Sequence, residues 1–122
     1  KGIVQWMGPY QPHELRSRME NVDWVVVPSV WWENSPMVIQ EAFVCGRPLL
    51  VWGIGGMAEK VRKEVDGVHV ECGSVNGWKD ALIRNLPQER WLQMRNGIRT
   101  PSGHSAIAES HLSLMSFVEA EF

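Results

Sequence analysis

The sequence predicts an α/β fold: a parallel sheet with helices on both faces, followed by two or three C-terminal helices. Two observations carry this. Apolar runs of strand length alternate with helical patterns over residues 2–72, and from residue 75 onward the apolar period is helical only. The loops between the alternating segments are also short, which implies parallel pairing through right-handed crossovers. Sheets of this kind bind ligands at the carboxyl ends of their strands.

The elements follow in order. Residues 2–8 read as a first strand, and residues 12–21 as a helix with Leu15 and Met19 on one face. Residues 23–28 form a continuous apolar run, the pattern of a strand covered on both sides. Ser35 and Pro36 form a helix start signal, Ser35 as N-cap and Pro36 at the first helical position. That helix runs to about Cys45 and stops at Gly46. Residues 47–52 are the third strand, and Gly53-Ile54-Gly55-Gly56 turns into a short helix over residues 57–63. Residues 67–72 form a fourth, shorter strand. Helices are then predicted over residues 75–86, 88–99 and 105–122, the last with Ala108, Leu112, Met115, Val118 and Phe122 near one face. Three loops follow strand ends, Gly8-Pro9-Tyr10, residues 29–35 and residues 53–56, and should share one edge.

Composition narrows the class. A chain of 122 residues is one domain, with room for a real core but not for a two-lobed enzyme. A formal net charge of -2 gives no reason to expect a nucleic-acid partner. Cys45 and Cys72 have no C-x-x-C spacing and read as buried, reduced thiols of a cytoplasmic protein. Several of the seven Trp lie in strand-like or helical runs and most read as core, with Trp31 and Trp32 belonging to the Pro28 to Phe43 segment instead. No apolar run is long enough for a transmembrane segment, and no signal peptide is evident. The start on Lys1 reads as an excised piece of a longer protein. His13, His69, His104 and His111 share no ligand spacing, so no metal is expected.

The richest segment runs from Pro28 to Phe43. Glu33 precedes the helix start, and Glu41 lies about a turn and a half into the helix. A helix N-terminus attracts anions through its free N–H groups and the positive end of its dipole, and a carboxylate accepts hydroxyl donors. One segment thus offers an anion seat and two polyol hooks, which suits a nucleotide-sugar. The helix is apolar nearly all round, so a carboxylate on it is costly unless paired. Glu41 therefore points to a solvent gap, pairs with a Lys or Arg, or serves a ligand. Gly55 and Gly56 fit either a tight strand-to-helix turn or a close approach to ligand. Tyr10 fits either an ordinary loop tyrosine or a pocket wall.

Pro-Ser-x-Trp-x-Glu-Asn-x-Pro-x-x-x-x-Glu-Ala-Phe, from Pro28 to Phe43, resembles the signature of the retaining glycosyltransferases of family 4, whose GT-B fold pairs two Rossmann-like domains. Residues 4–8 before it, Arg47-Pro48-Leu49-Leu50 after it, Gly55-Gly56-Met57-Ala58-Glu59 and Asp66-Gly67-Val68 fit the same order. The resemblance covers residues 2–86 well. It implies that residues 1–122 are part of a C-terminal, nucleotide-sugar-binding domain, without the acceptor-binding N-terminal domain and the first strands of its own domain. It assigns Glu41 to the donor ribose and Glu33, as the catalytic contact, to the donor sugar. The backbone of Asn34, Ser35, Pro36 and Met37 would face the diphosphate, Gly55 and Gly56 the sugar, and Tyr10 the base pocket.

The implied reaction is sugar transfer from a UDP- or GDP-sugar to a glycan, lipid or small-molecule acceptor, with retention of configuration and with no cofactor or metal. An Arg and Lys pair that neutralises the leaving diphosphate would precede Lys1, and neither Arg47 nor Lys60 matches it. The chain is therefore expected to be inactive alone. Surface-polysaccharide synthesis, in the cytoplasm or at the inner membrane face, fits the motif's style. A nucleotide-sugar epimerase domain and a non-catalytic glycosyltransferase-like binding module are the alternatives.

Overall fold

The computed structural model describes residues 3–32, 34, 36–103, 106, 108, 109 and 112. The predicted last helix over residues 105–122 falls largely outside them.

The sheet has three parallel strands, β1 (Val25–Val27), β2 (Leu49–Trp52) and β3 (Gly67–Val70), in the order β1-β2-β3. In register, Val25 lies opposite Leu49, and Leu49 opposite Gly67. Before β1 come a 3-10 turn (Pro12–Glu14) and helix α1 (Leu15–Glu20). Helix α2 (Met37–Val44) connects β1 to β2, and α3 (Gly55–Lys60) connects β2 to β3. Helices α4 (Val75–Arg84) and α5 (Gln88–Gly97) follow. The α/β class and parallel pairing are as the sequence predicts.

All four residues of β2 are buried, because a central parallel strand is covered on both faces. Ile39, Ala42 and Phe43 of α2, Met57 of α3, Ala81 of α4 and Met94 of α5 close over the sheet and form one core with it. A fully buried Leu, Ile or Met contributes about 1.5–3 kcal/mol through removal of its surface from water. Asp66, 2% exposed, accepts from the Arg62 backbone N–H at 2.7 Å and from Arg62 Nε at 2.6 Å. Arg62 also donates to the Gly97 carbonyl, which ties the start of β3 to the end of α5.

Several expectations are corrected. Residues 3–8 form no strand: the Met7, Gly8 and Pro9 carbonyls accept from the Arg18 guanidinium instead of a ladder. β1 is consequently an edge strand, and Val26 is 44% exposed rather than covered on both faces. Helix α2 is not buried all round, since Met37 and Val44 are 76% and 62% exposed on its outer side. Its N-cap is Pro36, in extended backbone and without a side-chain cap bond, rather than Ser35. Helix α3 starts at Gly55, where φ is +51°, two residues earlier than predicted. Glycine adopts that left-handed value without the steric cost a side chain would add.

The cysteines and tryptophans also differ from expectation. Cys45 is half-buried and Cys72 exposed, both as free thiols. Of the tryptophans read as core, Trp52 is in it, Trp24 and Trp78 pack at its margin, and Trp6 is exposed, as are Trp31 and Trp32 of the Pro28 to Phe43 segment. Apolar character alone does not tell a core strand from a loop or an edge.

Candidate functional site

Parallel strands end together, so the connections after them meet on one edge. Here these are the loop from Pro28 to Pro36, the turn at Gly53-Ile54, and the segment from Glu71 to Ser74. Trp52 Nε1 donates to the Pro28 carbonyl at 3.0 Å, and the Gly53 N–H to the Val70 carbonyl at 2.9 Å, which fastens all three strand ends together. The Trp52 ring meets Trp78 edge-on with centroids 4.9 Å apart, setting α4 against the same end of the sheet. Gly8-Pro9-Tyr10 was expected among these loops but follows no strand.

Glu41 lies on the second turn of α2 and is half-buried. With Met37, Gln40, Val44 and Cys45 it forms one wall of a groove of about 330 Å³. Pro12, Leu15 and Arg16 form the opposite wall. Among the described residues no hydrogen bond or ion pair holds the Glu41 carboxylate. Arg16, across the groove, is engaged with Glu20 at 3.1 Å. Pairing with a Lys or Arg, one of the readings open for Glu41, is therefore not what these residues show. The carboxylate is presented into an open groove.

The remaining candidates spread around this edge. Pro36 is buried at the start of α2, and Asn34 is exposed just before it. Glu33 and Ser35 lie outside the described residues. Gly55 and Gly56 open α3, Gly56 buried, and neither lines the groove of Glu41. Tyr10 is exposed, with the Arg18 guanidinium 5.5 Å from its ring centre. The structure thus brings Met37 and Glu41 together and leaves Tyr10, Gly55 and Gly56 apart from them.

Pro12, Leu15 and Arg16 were missed as groove residues. Their sole sequence signal is membership of a helix just before β1, which does not reveal which face turns toward α2.

A larger cavity, about 850 Å³, lies beside β3 and α4, at the strand-end residues Gly53 and Glu71, with Lys63, His69, Cys72, Asp80 and Arg84. Its acids and bases balance, and His69 Nε2 is engaged with the Val61 carbonyl at 2.6 Å. Among the described residues no group of three or more His, Cys, Asp or Glu is placed to hold a metal, and no helix is long and apolar enough to cross a membrane.

The fold and groove define a class: a parallel α/β domain with a half-buried carboxylate on the helix that follows its first strand. Residues 1–88 match the family described as "Glycosyl transferases group 1", and the chain belongs to that family of enzymes. A D-inositol 3-phosphate glycosyltransferase of Salinispora tropica is 34% identical over 84 residues, covering 69% of this chain and 17% of the relative. The protein of that name from Mycobacterium leprae is 31% identical over 103 residues, covering 84% of this chain and 24% of the relative. The chain thus spans about a fifth of the length of these curated relatives. Its fold is that of Anabaena HepE, solved in complex with UDP: TM-score 0.59, 23% identity, 79% of this chain and 29% of that one.

Proposed function

We propose that this chain supplies the donor side of a sugar transfer from a nucleotide-sugar to an acceptor, with retention of configuration. One observation carries the reading: a half-buried Glu41 carboxylate, free of partners among the described residues, in a groove beside the start of α2. An ionised carboxylate accepts two hydroxyl donors at once, and bonds to a charged acceptor are about twice as strong as neutral ones. A ribose offers two adjacent hydroxyls in that geometry. Glu41 is assigned to them.

The start of α2, where no side chain of a described residue caps the backbone, is assigned to the diphosphate. The backbone of Asn34, Ser35, Pro36 and Met37 is assigned with it to the diphosphate, Glu33 to the sugar, and Gly55 and Gly56 to the sugar as well. The donor is a UDP- or GDP-sugar, and UDP in the HepE complex supports the first. The acceptor, a glycan, lipid or small molecule, is held by another part of the protein. Residues 1–122 form part of the donor-binding domain, which works in the cytoplasm. Alone it binds nucleotide weakly and transfers no sugar, because none of the matched site residues is basic.

The test is a titration of the chain with UDP, GDP and ADP, following backbone amide resonances. Shifts should concentrate at residues 36–41. Their absence at millimolar nucleotide would overturn the assignment.

A further inference from the structure

A cleft of about 340 Å³ lies between α2, the end of α3 and the segment that follows α5. Ile39 and Phe43, both buried, line it, and Lys60, Arg62 and Arg99 stand around it. Its acid, Asp66, is 2% exposed, and both carboxylate oxygens are taken by Arg62. Asp66 thus neutralises Arg62 only. Lys60 and Arg99, both exposed, have no ion pair to any described residue. The cleft therefore holds two uncompensated cations, in a chain with 14 acids and 12 bases.

Spare donors accompany the charge. Arg62 spends Nε on Asp66 and one terminal nitrogen on the Gly97 carbonyl, and its other terminal nitrogen meets no acceptor among the described residues. The Ser102 hydroxyl, also at the cleft, is likewise unengaged among them. A lysine in the last turn of α3 suits the negative end of the helix dipole. That account covers Lys60 alone and gives no reason for Arg99 to join it from beyond α5.

We propose that this cleft binds a phosphate group, carried by a soluble ester or by the head of an anionic lipid. Phosphate presents acceptor oxygens on several sides, and a guanidinium can meet two of them with parallel N–H donors. The site is separate from the donor groove. Asp66 precedes β3, and its carbonyl accepts from the Leu49 N–H at the start of β2, so the cleft lies toward the amino ends of the strands. Gln40 alone lines both.

Inorganic phosphate is titrated into the chain at constant ionic strength, with chloride as the control, following the backbone amides of residues 60–62 and 99–102. Saturable shifts are expected there, with half-saturation at about 1 mM or below, as suits a few charge-assisted bonds near the surface. Lys60→Gln and Arg99→Gln should each weaken binding about tenfold. Lys79→Gln removes the same charge from α4, outside the cleft, and should change nothing. Shifts that never saturate, or that chloride reproduces, overturn the site, because they report screening and not binding. Equal weakening by Lys79→Gln overturns it too. Co-sedimentation with vesicles of equal parts phosphatidylcholine and phosphatidic acid, absent with phosphatidylcholine alone and lost in Arg99→Gln, supports the site with a lipid head as its ligand. Saturable phosphate binding without co-sedimentation supports it with a soluble ester.

Discussion

Replacing Glu41 by Gln separates a ligand carboxylate from a structural one, because the two roles predict opposite outcomes in two measurements. The substitution keeps shape and removes charge. Against a pair of ribose hydroxyls the carboxylate offers two acceptor oxygens, and the amide offers one acceptor and one misplaced donor. A hydrogen bond to a charged group contributes about 1.5–3 kcal/mol, so losing one and weakening the other lowers nucleotide affinity by about 10- to 100-fold. Stability should respond differently. Glu41 has no hydrogen bond or ion pair to a described residue, so the change leaves no buried partner unsatisfied. Surface changes of that kind fall within about 0.5 kcal/mol, or about 2 °C in Tm for a domain of this size. Calorimetric titration with UDP and thermal melts of the parent and Glu41→Gln provide both numbers. A drop of many degrees with unchanged affinity would make Glu41 a structural residue and refute the reasoning. Unchanged affinity and unchanged Tm would deny it either role.

Two further outcomes are expected. Gly97→Ala would drive a methyl into the Val65 carbonyl, whose carbon would lie only 2.7 Å away, and would disturb the Gly97 carbonyl that Arg62 uses; urea denaturation should show a loss of about 2–4 kcal/mol. The Gln11 N–H, aided by the Arg18 charge, outweighs desolvation and holds the Glu14 carboxyl below its ordinary value of 4.5. Its folded pKa is therefore below its unfolded one, and the stabilisation it brings is present above pH 4.5 and is lost as pH falls through the folded pKa. The difference in denaturation midpoint between the parent and Glu14→Gln should shrink on acidification from neutral pH to about pH 3, and a constant difference would contradict this.

Much of the fold is legible in the sequence because it depends on local pattern. The apolar run at Leu49–Trp52 reads as a strand and is one, and the helices α2, α4 and α5 start and stop close to the expected residues. Residues 3–8 read equally well as a strand, yet they pair with none. Here Arg18 takes the carbonyls instead. Val26 shows the same limit, since an apolar residue in a parallel-type run carries no mark of being at the edge. The match over residues 1–88 agrees with the family that the Glu33 to Glu41 segment resembles.

The sequence by itself determined the α/β class, the parallel order and the family, because strand and helix periods and a dense motif are properties of neighbouring residues. It also named Glu41. Only the tertiary structure decided what faces Glu41: Pro12, Leu15 and Arg16 become the other wall of its groove through the packing of α1 beside α2. It also decided that Arg18 is a clasp and not a solvated charge. Both outcomes depend on contacts between segments distant in sequence, and no local pattern encodes which faces those segments turn toward each other.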